Sequence, residues 1–469
     1  MDLFNTIALY SFSIIAGIFV LYDCVLLYLL IKVYRQESLT IARISYQEAK
    51  MTPDSVLPVV TILIPLYKEK LTLPYLIESI SKIDYPKNKL DVRVLIEHDD
   101  EETQEAIKDI AIRNKNIPII NSGGTSTISK IKAWGQFPIN IHYINESPRT
   151  KPSALNVGLR HARGKIVCVY DAEDRPDEKQ VRTIVVYMLR HPEVSCVQAR
   201  LAYYNDNQSI ITRFFAIEYI QHFLVWLPTY FSLSNALLLG GTSNFFRIES
   251  LKSLGGWDPA NVTEDADLGI RMARKNYAVV PIDMMTYEEA PPKVYPWLKQ
   301  RIRWNKGYLY TLLSHFRHPL KILKEIGPRS CVLTFHQLLS PVISALSLPG
   351  WILFAFYWLN WFGMPLEPIS KWITTVFNFS PLLFYSSLLT LAFSPIYITL
   401  MSLEGLFRQE DDYTLSKVKY VPLLLMYFVL QSVASVIAIT ELIGRPCFWH
   451  KTPHGFSIHE KELYQPGSI

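Results

Sequence analysis

Carboxylate side chains follow a short apolar run in the middle of the chain. Residues 166–169 form this run, and Asp171, Glu173 and Asp174 come shortly after it. Short apolar runs that stop at polar residues are typical of buried parallel strands, whose carboxyl ends border the ligand crevice of open α/β sheets. Asp171 and Glu173 alternate along an extended backbone, so both can face one side and suit Mg²⁺ or Mn²⁺ together with substrate phosphates. Two alternatives stay open here: a solvated acidic turn, and Asp174 as the second ligand in place of Glu173.

A second pair of carboxylates lies in the sequence Thr263-Glu264-Asp265, just before a helical pattern at residues 268–275. A positioned carboxylate can accept the proton of an attacking hydroxyl group, which makes Asp265 a candidate general base. The same residue types favour a capping box at a helix start, with Thr263 as the cap. The two roles are compatible, because a cap would fix the base in place.

Gln300, Arg303 and Trp304 share one face of a predicted helix, because they are spaced i, i+3 and i+4. Arg303 suits a phosphate group, since its planar guanidinium gives paired, charge-assisted hydrogen bonds. Trp304 offers an apolar plate on which a sugar ring can stack. For this face alone, an amphipathic helix with a core tryptophan is the structural alternative.

The elements that must position these motifs alternate between strand and helix. Predicted strands cover residues 59–64, 91–97, 139–145, 166–169 and 194–201, and predicted helices cover residues 73–81, 103–114, 153–161, 179–189, 268–275 and 297–310. This alternation, with acidic residues at strand ends, predicts a doubly wound α/β sheet.

Hydrophobic residues are unevenly distributed over the 469-residue chain. Residues 331–365, 372–403 and 420–440 contain no Asp, Glu, Lys or Arg, and residues 1–31 contain only Asp2 and Asp23 as charges. Each block is long enough to cross a bilayer, which takes about 20 apolar residues. Lys32 and Arg35 directly follow the first block, so the positive-inside rule predicts a cytoplasmic location for the next segment.

Cysteine spacing and net charge disfavour a disulfide-rich or zinc-binding protein and a nucleic-acid-binding protein. The five cysteines are scattered without metal-ligand spacing, so neither a disulfide framework nor a zinc site is predicted. The net charge of +5 is mild, and no basic stripe is interleaved with aromatic residues, so nucleic acid is not a predicted partner.

These patterns divide the chain into five segments. We predict an N-terminal transmembrane anchor at residues 1–35, a cytoplasmic domain at 57–310, an interfacial helix at 311–330, transmembrane helices at 331–443 and a tail at 444–469. Residues 214–239 are apolar but interrupted by charge, which favours an amphipathic helix on the membrane surface. Three spanning helices after a cytoplasmic domain would place the tail outside, unless Pro341 and Pro349 divide the first block into a hairpin or one block is re-entrant.

Taken in order, the motifs resemble those of the membrane-embedded family 2 glycosyltransferases, the group of cellulose, hyaluronan and mannan synthases. The resemblance covers roughly residues 57–310 and the helices that follow. It rests on Asp99-Asp100 after the second strand, Asp171-Ala172-Glu173, Thr263-Glu264-Asp265 and Gln300-Arg301-Ile302-Arg303-Trp304. It implies an α/β GT-A (Rossmann-like) cytoplasmic domain joined to transmembrane helices and interfacial amphipathic helices.

The resemblance also implies a role for each site residue. Asp265 would be the catalytic base of a single displacement that inverts the anomeric centre, and Asp171 and Glu173 would hold the Mg²⁺ or Mn²⁺ ion. Donor binding would involve Pro65, Tyr67, Glu69, Asp99, Asp100, Lys151, Asp171, Gln300 and Arg303, and acceptor binding would involve Trp304 and Glu264. Trp449, Lys451, Thr452 and His454 in the tail would form a gating segment.

The leading interpretation is a multi-pass hexosyltransferase of the cell membrane that extends a β-glycan processively and exports it through its own helices. Its expected partners are a nucleotide-sugar donor, with a UDP-sugar favoured over GDP-mannose, a glycan acceptor and membrane lipids. One alternative is a transferase that adds a single sugar to a lipid carrier. Another is a non-enzymatic transporter or scaffold, which the full set of motifs disfavours.

Overall fold

The computed structural model describes residues 3–35, 41–113, 128–133, 137–361, 380–409, 411–445 and 455. Its strands are β1 (Val60–Leu66), β2 (Leu90–Glu97), β3 (Ile128–Ala133), β4 (Phe137–Ile144), β5 (Ile166–Val169), β6 (Arg175–Pro176), β7 (Val194–Tyr203), β8 (Asn244–Arg247) and β9 (Ala278–Glu288). Its α-helices are α1 (Leu3–Arg35), α2 (Tyr46–Lys50), α3 (Leu73–Lys82), α4 (Glu101–Arg113), α5 (Lys151–His161), α6 (Gln180–Arg190), α7 (Ile210–Gln221), α8 (Leu227–Leu233), α9 (Ile248–Ser253), α10 (Glu264–Arg274), α11 (Val294–His315), α12 (Pro319–Trp361), α13 (Pro381–Gln409), α14 (Asp412–Leu415) and α15 (Leu424–Gly444). Turns of 3-10 helix cover Lys87–Lys89 and Ser416–Leu423, and a π-helical turn, His222–Trp226, joins α7 to α8.

The described strands form one mixed sheet in the order β3-β4-β2-β1-β5-β8-β7-β9-β6. β4, β2, β1 and β5 are parallel neighbours, whereas β8 is antiparallel to β5 and to β7. Residues of β1 alternate between two cores, with Ile62 and Ile64 in one and Leu63 in the other. Because both faces of the central strands are covered, β1 and β5 are almost wholly apolar, whereas β2 and β4 also carry buried polar residues such as Asp91 and His142. The predicted α/β class is confirmed.

Each of the predicted strands corresponds to a strand of this sheet, namely β1, β2, β4, β5 and β7. β8 and β9 were not predicted. β8 is only four residues long, and β9 contains Pro281 and Asp283, which obscure a strand pattern. These two strands complete the half of the sheet that lies beyond β5.

Several helical segments are long and apolar enough to cross a membrane: Ser13–Arg35, Ile210–Leu233, Pro319–Ile352, Pro381–Gln409 and Asp412–Gly444. This composition is that of a membrane protein. α1 packs along α13, where the Thr390 hydroxyl donates a hydrogen bond to the Asp23 carboxylate at 2.7 Å. A buried carboxylate in such a helix needs a partner of this kind.

The segment predicted to lie on the membrane surface corresponds to α7, the π-helical turn and α8. Most of its residues are buried within the protein, where α7 packs against β7, α13 and α15. The surface location of this segment stays a prediction.

The boundary predicted at residue 310 falls inside a helix. α11 continues to His315, and α12 begins at Pro319 and breaks at Gly327, whose φ of 79° is not helical. The predicted interfacial helix at residues 311–330 is therefore divided between α11 and α12.

α15 lies along α11 rather than apart from it. Near one end of α15, the Tyr427 hydroxyl accepts a hydrogen bond from Trp297 Nε1 at 3.1 Å. At the other end, the Arg445 carbonyl accepts one from Lys306 Nζ at 2.6 Å. Both ends of α15 therefore contact the same helix, α11.

Candidate active site

The carboxyl ends of β1, β2 and β5 border one continuous cavity of about 1050 Å³. In open α/β sheets this edge is where ligands bind. Most of the residues predicted to form the site lie in its wall: Pro65, Tyr67, Glu69, Lys151, Asp171, Glu173, Glu264, Asp265, Gln300, Arg303 and Trp304. Motifs that are far apart in the sequence therefore meet at one place.

The three acidic residues after β5 are divided between the cavity and the protein interior. Asp171 and Glu173 line the cavity. Asp174 is fully buried, and its carboxylate accepts hydrogen bonds from the Asp171 N–H at 2.7 Å and from the Thr242 hydroxyl. Burial raises the pKa of Asp174 well above its usual value. Asp174 therefore lies outside the described cavity wall and shapes the turn that presents Asp171, which favours Glu173 over Asp174 as the second metal ligand.

Lys151, in the first turn of α5, connects the two acidic motifs. Its Nζ lies 2.6 Å from Asp171 Oδ1, 2.9 Å from the Gly241 carbonyl oxygen and 3.8 Å from Glu264. A Cβ placed on Gly241 would lie 3.4 Å from Asp265 Oδ2 and 3.9 Å from Asp171 Oδ2, so both carboxylates adjoin the same glycine. The ammonium group thus offsets negative charge where the two motifs meet.

Asp265 lies at the N-terminus of α10 and is partly exposed. Its Oδ1 accepts the N–H of Ala266 at 2.7 Å, and its Oδ2 is the oxygen near Gly241. Burial raises the pKa of both Asp265 and Glu264, and the Lys151 ammonium opposes the increase. A carboxylate with a raised pKa is a better proton acceptor at neutral pH.

Thr263 occupies the cap position of α10 without capping it. Within the described residues 261–274, its side chain makes no capping hydrogen bond, and its hydroxyl donates instead to Asn261 Oδ1 at 3.3 Å. The predicted capping box is therefore wrong. α11 approaches this turn closely because Gly307 has no side chain: a Cβ there would lie 2.3 Å from Thr263 Cγ2.

Arg303 is surrounded by carboxylates and retains free hydrogen-bonding capacity. Its Nε is buried and has no hydrogen-bond partner within the described part of the chain. Burial lowers the pKa of Arg303, and the charges of Glu264, Asp171, Glu173 and Asp265 oppose this decrease. An arginine in these surroundings is suited to a bound anion.

Gln300 and Trp304 lie in the same cavity wall as Arg303, as their helical spacing predicts. The Trp304 ring meets the Phe215 ring edge to face at 5.9 Å between centroids. It also lies 4.6 Å from the guanidinium carbon of Arg301. The indole is therefore held by protein contacts within the wall.

Asp99 and Asp100 were predicted to bind the donor, but they lie outside the described wall of the cavity. The Asp100 carboxylate is buried and accepts the backbone N–H groups of Lys68 at 2.5 Å and Thr103 at 3.2 Å. Asp99 forms an exposed ion pair with Arg149. Asp100 joins the loop after β1 to α4, and Asp99 pairs with Arg149, which lines the cavity, so the donor-binding role of these two residues stays a prediction.

Glu97, the last residue of β2, is the acid that lines the cavity there. It is 7% exposed, and its Oε2 has no partner among the described residues. Burial raises the pKa of Glu97 to about 7, and the Arg149 guanidinium opposes the increase. Sequence analysis missed this residue because it closes an apolar run, although a charge in a strand buried on both faces was a usable signal.

The predicted gating residues, Trp449, Lys451, Thr452 and His454, lie outside the described residues. Gly455, directly after them, donates its N–H to Glu289 Oε2 at 2.5 Å. The adjacent Glu288 lines the cavity. This part of the tail therefore contacts the catalytic domain.

The acidic residues of the cavity wall fit a divalent cation that a ligand helps to coordinate. Among the residues the structure describes, no three His, Cys, Asp or Glu side chains are grouped closely enough to hold an ion by themselves. Asp171 and Glu173 nevertheless offer hard oxygen ligands beside Arg303, which is suited to an anion. One or two carboxylates plus substrate phosphates are a usual ligand set for Mg²⁺.

The cavity is also lined by residues of the apolar helices. Its wall there carries hydroxyl and amide side chains at helical spacing: Ser340, Ser344 and Ser347 on α12, Thr390 and Ser394 on α13, and Gln431, Ser432 and Ser435 on α15. Trp351 and Phe428 add aromatic surface. This polar stripe offers hydrogen-bond partners to a hydroxyl-rich ligand within helices that are otherwise apolar.

Comparisons with known sequences agree on one family. The family model described as "Glycosyl transferase family group 2" matches residues 166–433, and the one described as "Glycosyl transferase family 2" matches residues 61–247. A probable glycosyltransferase of Bacillus subtilis (strain 168) is 25% identical over 275 residues, which are 57% of this chain and 60% of that protein. Glucomannan 4-beta-mannosyltransferase 1 of Cyamopsis tetragonoloba is 25% identical over 285 residues, which are 60% of this chain and 50% of that protein. The chain thus spans little more than half the length of these relatives.

Comparison with solved structures supports the fold. A mannosyltransferase from Pyrobaculum calidifontis, solved in complex with GDP-Man and Mn²⁺, gives a TM-score of 0.51 at 18% sequence identity. The superposition covers 85% of this chain and 100% of that one. The sheet and its helices therefore form the predicted GT-A, Rossmann-like domain.

Proposed function

Because this chain belongs to glycosyl transferase family group 2, we propose that it is a hexosyltransferase that moves a sugar from a nucleotide-sugar donor to a glycan acceptor. The observation that carries the proposal is the meeting of Asp171, Asp265, Arg303 and Trp304 in one cavity. These residues come from four separate parts of the chain, and each supplies a chemical group that the transfer needs.

The donor would occupy the part of the cavity at the strand ends. Its base and ribose would lie near Tyr67 and Glu97, and its diphosphate near Lys151. A divalent ion held by Asp171 and Glu173 would neutralise charge on the departing nucleoside diphosphate. Mannosyltransferases occur among the relatives and the structural neighbours, so GDP-mannose is our first candidate, ahead of the UDP-sugar that the sequence favoured.

Asp265 would act as the general base. As an acceptor hydroxyl oxygen attacks the anomeric carbon, its proton passes to the Asp265 carboxylate, and the bond between that carbon and the diphosphate oxygen breaks. A single displacement inverts the anomeric centre, so an α-linked donor gives a β-linked product. Lys151 and Arg303 would stabilise the negative charge of the departing nucleoside diphosphate.

The product would leave through the membrane part of the cavity. The acidic residues and the hydroxyl groups of the apolar helices line the same cavity, and this continuity supports a processive synthase that exports its glycan. A transferase that adds one sugar to a lipid carrier has no need of a hydroxyl-lined path through the helices. It remains the alternative that the product analysis below would detect.

We place the catalytic domain on the cytoplasmic side of the cell membrane, with α1, α12 and α13 as the crossing helices. A crossing helix carries its two ends to opposite sides of the bilayer, yet α15 contacts α11 near both ends, through Tyr427 and Arg445. In this proposal α15 lies along the interface and borders the entrance of the path, which continues between α12 and α13, although the composition of α15 alone would allow it to cross. Two crossings after the catalytic domain then leave the tail, with its predicted gating residues, on the catalytic side.

The tail is expected to be labelled on the same side of the membrane as the catalytic domain. A single cysteine would be introduced by Ser457→Cys in the tail and, separately, by Glu101→Cys in exposed α4, each in a chain without its native cysteines. A membrane-impermeant maleimide is expected to label both variants in inverted vesicles and neither in right-side-out vesicles. Labelling of the two positions from opposite sides would show that α15 crosses the membrane.

The KM for the donor is expected to fall as the pH rises through about 7. The pKa of Glu97 is raised to about 7 by burial, with Arg149 opposing the increase and Asp99 and Asp100 adding to it. The ionised Glu97 carboxylate accepts the N–H groups of the base better than the protonated form does. With a pKa of about 7, about one tenth of the Glu97 side chains are ionised at pH 6. The KM at pH 6 is therefore expected to be up to about tenfold higher than at pH 8. KM measured from pH 6 to 8 checks this, and an unchanged pH profile in Glu97→Gln would contradict it.

Gly307→Ala is expected to lower the turnover rate about tenfold, because the added methyl group must push the Thr263 turn, and Asp265 with it, away from α11. Release of nucleoside diphosphate measures the rate. The double variant Gly307→Ala/Thr263→Ala removes the two closest atoms, Thr263 Cγ2 and Oγ1, and is expected to recover part of the rate. Gly444→Ala, where a Cβ meets no described atom within 4 Å, is the control, and an equal loss there would refute the steric explanation.

A donor screen with the purified full-length chain tests the proposed function. GDP-mannose, UDP-glucose and UDP-N-acetylglucosamine would each be supplied with MnCl₂, and released GDP or UDP would be measured. Radiolabelled donor incubated with membranes then separates the two transferases: a long, lipid-free polymer supports processive synthesis, and a single sugar on lipid supports the alternative. The absence of nucleotide release from each of these donors would count against a transferase for them.

A further inference from the structure

Arg301, the second residue of the motif at residues 300–304, is engaged by protein groups from two other helices. Its Nη1 and Nη2 donate to the two oxygens of the Glu218 carboxylate at 2.8 and 2.5 Å, and Nη2 also donates to the Tyr427 hydroxyl at 3.0 Å. That hydroxyl donates to Glu218 and accepts from Trp297 Nε1 at 3.1 Å. One arginine therefore joins α7, α11 and α15.

The Arg301 guanidinium also lies against aromatic rings. Its central carbon is 4.2 Å from the ring centroid of Phe215 and 4.6 Å from that of Trp304. The rings of Phe215 and Trp304 also contact each other. A cation placed over an aromatic face is attracted to it, so these contacts fix the position of the Trp304 indole.

Arg301 and Arg303 differ in what they can offer to a ligand, although both lie in the cavity wall. Both terminal nitrogens of Arg301 are occupied by Glu218 and Tyr427, and only its Nε, like that of Arg303, has no partner in the described part of the chain. Arg301 also follows Gln300 by one residue, so it lies off the helix face that carries Arg303. Arg301 is therefore less suited to bind the diphosphate than to hold a neighbouring side chain.

We propose that Arg301 is a positioning residue for the acceptor site: its ion pair with Glu218, supported by Tyr427, fixes the Trp304 indole on which the acceptor sugar stacks. The proposal rests on the proposed function, which assigns the acceptor to Trp304. It concerns the acceptor rather than the donor, because Arg301 contacts Trp304 directly. Lys151, which would lie near the donor diphosphate, shares no partner with Arg301 among the hydrogen bonds of the described residues.

The test uses the full-length chain in lipid nanodiscs with GDP-mannose, MnCl₂ and mannotetraose. Arg301→Lys keeps the charge but loses the planar fork. In this variant, the mannotetraose concentration that gives half-maximal stimulation of GDP release is expected to rise by about tenfold. The KM for GDP-mannose is expected to change by less than about twofold. Tyr427→Phe, which alters a residue outside the described cavity wall, is expected to shift the same quantity in the same direction by a smaller factor.

A double-mutant cycle separates positioning from general loosening of the fold. If Arg301 acts through Trp304, adding Arg301→Lys to Trp304→Phe is expected to change the mannotetraose requirement little further. Arg274→Lys is the matched control, since it alters an ion pair with Glu325 that joins α10 to α12. Additive losses in the cycle, or an equal rise in the KM for GDP-mannose, would overturn the proposal.

A binding measurement keeps the two proposals distinguishable. If the wild-type chain releases no GDP, the proposed function is at fault, and quenching of tryptophan fluorescence by mannotetraose decides the role of Arg301. Binding that is weakened alike by Arg301→Lys and Trp304→Phe supports the positioning role. Unchanged binding in Arg301→Lys, or no binding by the wild type, rejects it.

Discussion

Replacing Asp265 by asparagine is expected to slow sugar transfer by about a thousandfold with little change in the KM for the donor. The amide keeps the size of the side chain and can still accept the Ala266 N–H, but it cannot take the acceptor proton. Because burial raises the pKa of Asp265, the wild-type rate is also expected to fall as the pH drops through that raised value, whereas the residual rate of the variant is not. Nucleoside diphosphate release measured as a function of pH checks both effects.

Asp267→Asn, on the same helix, is the matched control for Asp265→Asn. The Asp267 carboxylate accepts a hydrogen bond from Arg271 Nε at 2.6 Å and pairs with His315 Nε2 at 2.8 Å. Loss of this charge is expected to lower the free energy of unfolding by about 1–3 kcal/mol, measured as a lower Tm, and to leave the rate per folded molecule near that of the wild type. A wild-type rate in Asp265→Asn would assign the base elsewhere, with Glu264 as the next candidate.

The central part of the fold was predictable because the sheet is covered on both faces. β1 and β5 read as unbroken apolar runs, and each run ends where the strand meets the cavity. β9 was not predictable, since Pro281 and Asp283 interrupt its apolar pattern. Hydropathy also did not show that α15 lies along α11, because the apolar composition of a helix does not specify the protein surface against which it packs.

The site residues differ in how far local sequence reveals them. Asp171 and Asp265 lie at the end of a strand and at the start of a helix, so short patterns were enough to find them. Glu97 depends on strand order, since it reaches the cavity because β2 lies next to β1. Asp99 and Asp100 were predicted from the residues that follow β2, but the hydrogen bond from the Lys68 N–H to Asp100 is a tertiary contact that the local sequence does not show.

Asp171→Ala is expected to weaken the Mn²⁺-dependent binding of GDP-mannose by about a hundredfold or more and to leave the fold intact. The Asp171 side chain is 26% exposed and pairs with Lys151 at 2.6 Å. Its removal leaves Lys151 beside Glu264 and Asp265, so no buried cation is left without a counter-charge. Calorimetric titration of GDP-mannose with and without MnCl₂ measures the affinity, and thermal unfolding measures the stability.

Asp174→Ala, three residues later, is expected to show the reverse behaviour. Asp174 is fully buried and accepts the Asp171 N–H and the Thr242 hydroxyl. Alanine leaves these donors only their longer hydrogen bonds, to Thr242 Oγ1 at 3.3 Å and to the Val169 carbonyl oxygen at 3.1 Å, at a total cost of about 1–3 kcal/mol. Its Tm is expected to fall while the folded fraction still binds Mn²⁺ and GDP-mannose. Tight Mn²⁺-dependent binding in Asp171→Ala would instead exclude Asp171 as a ligand. In that variant Asp174 still supports the turn, so Glu173 would still face the cavity.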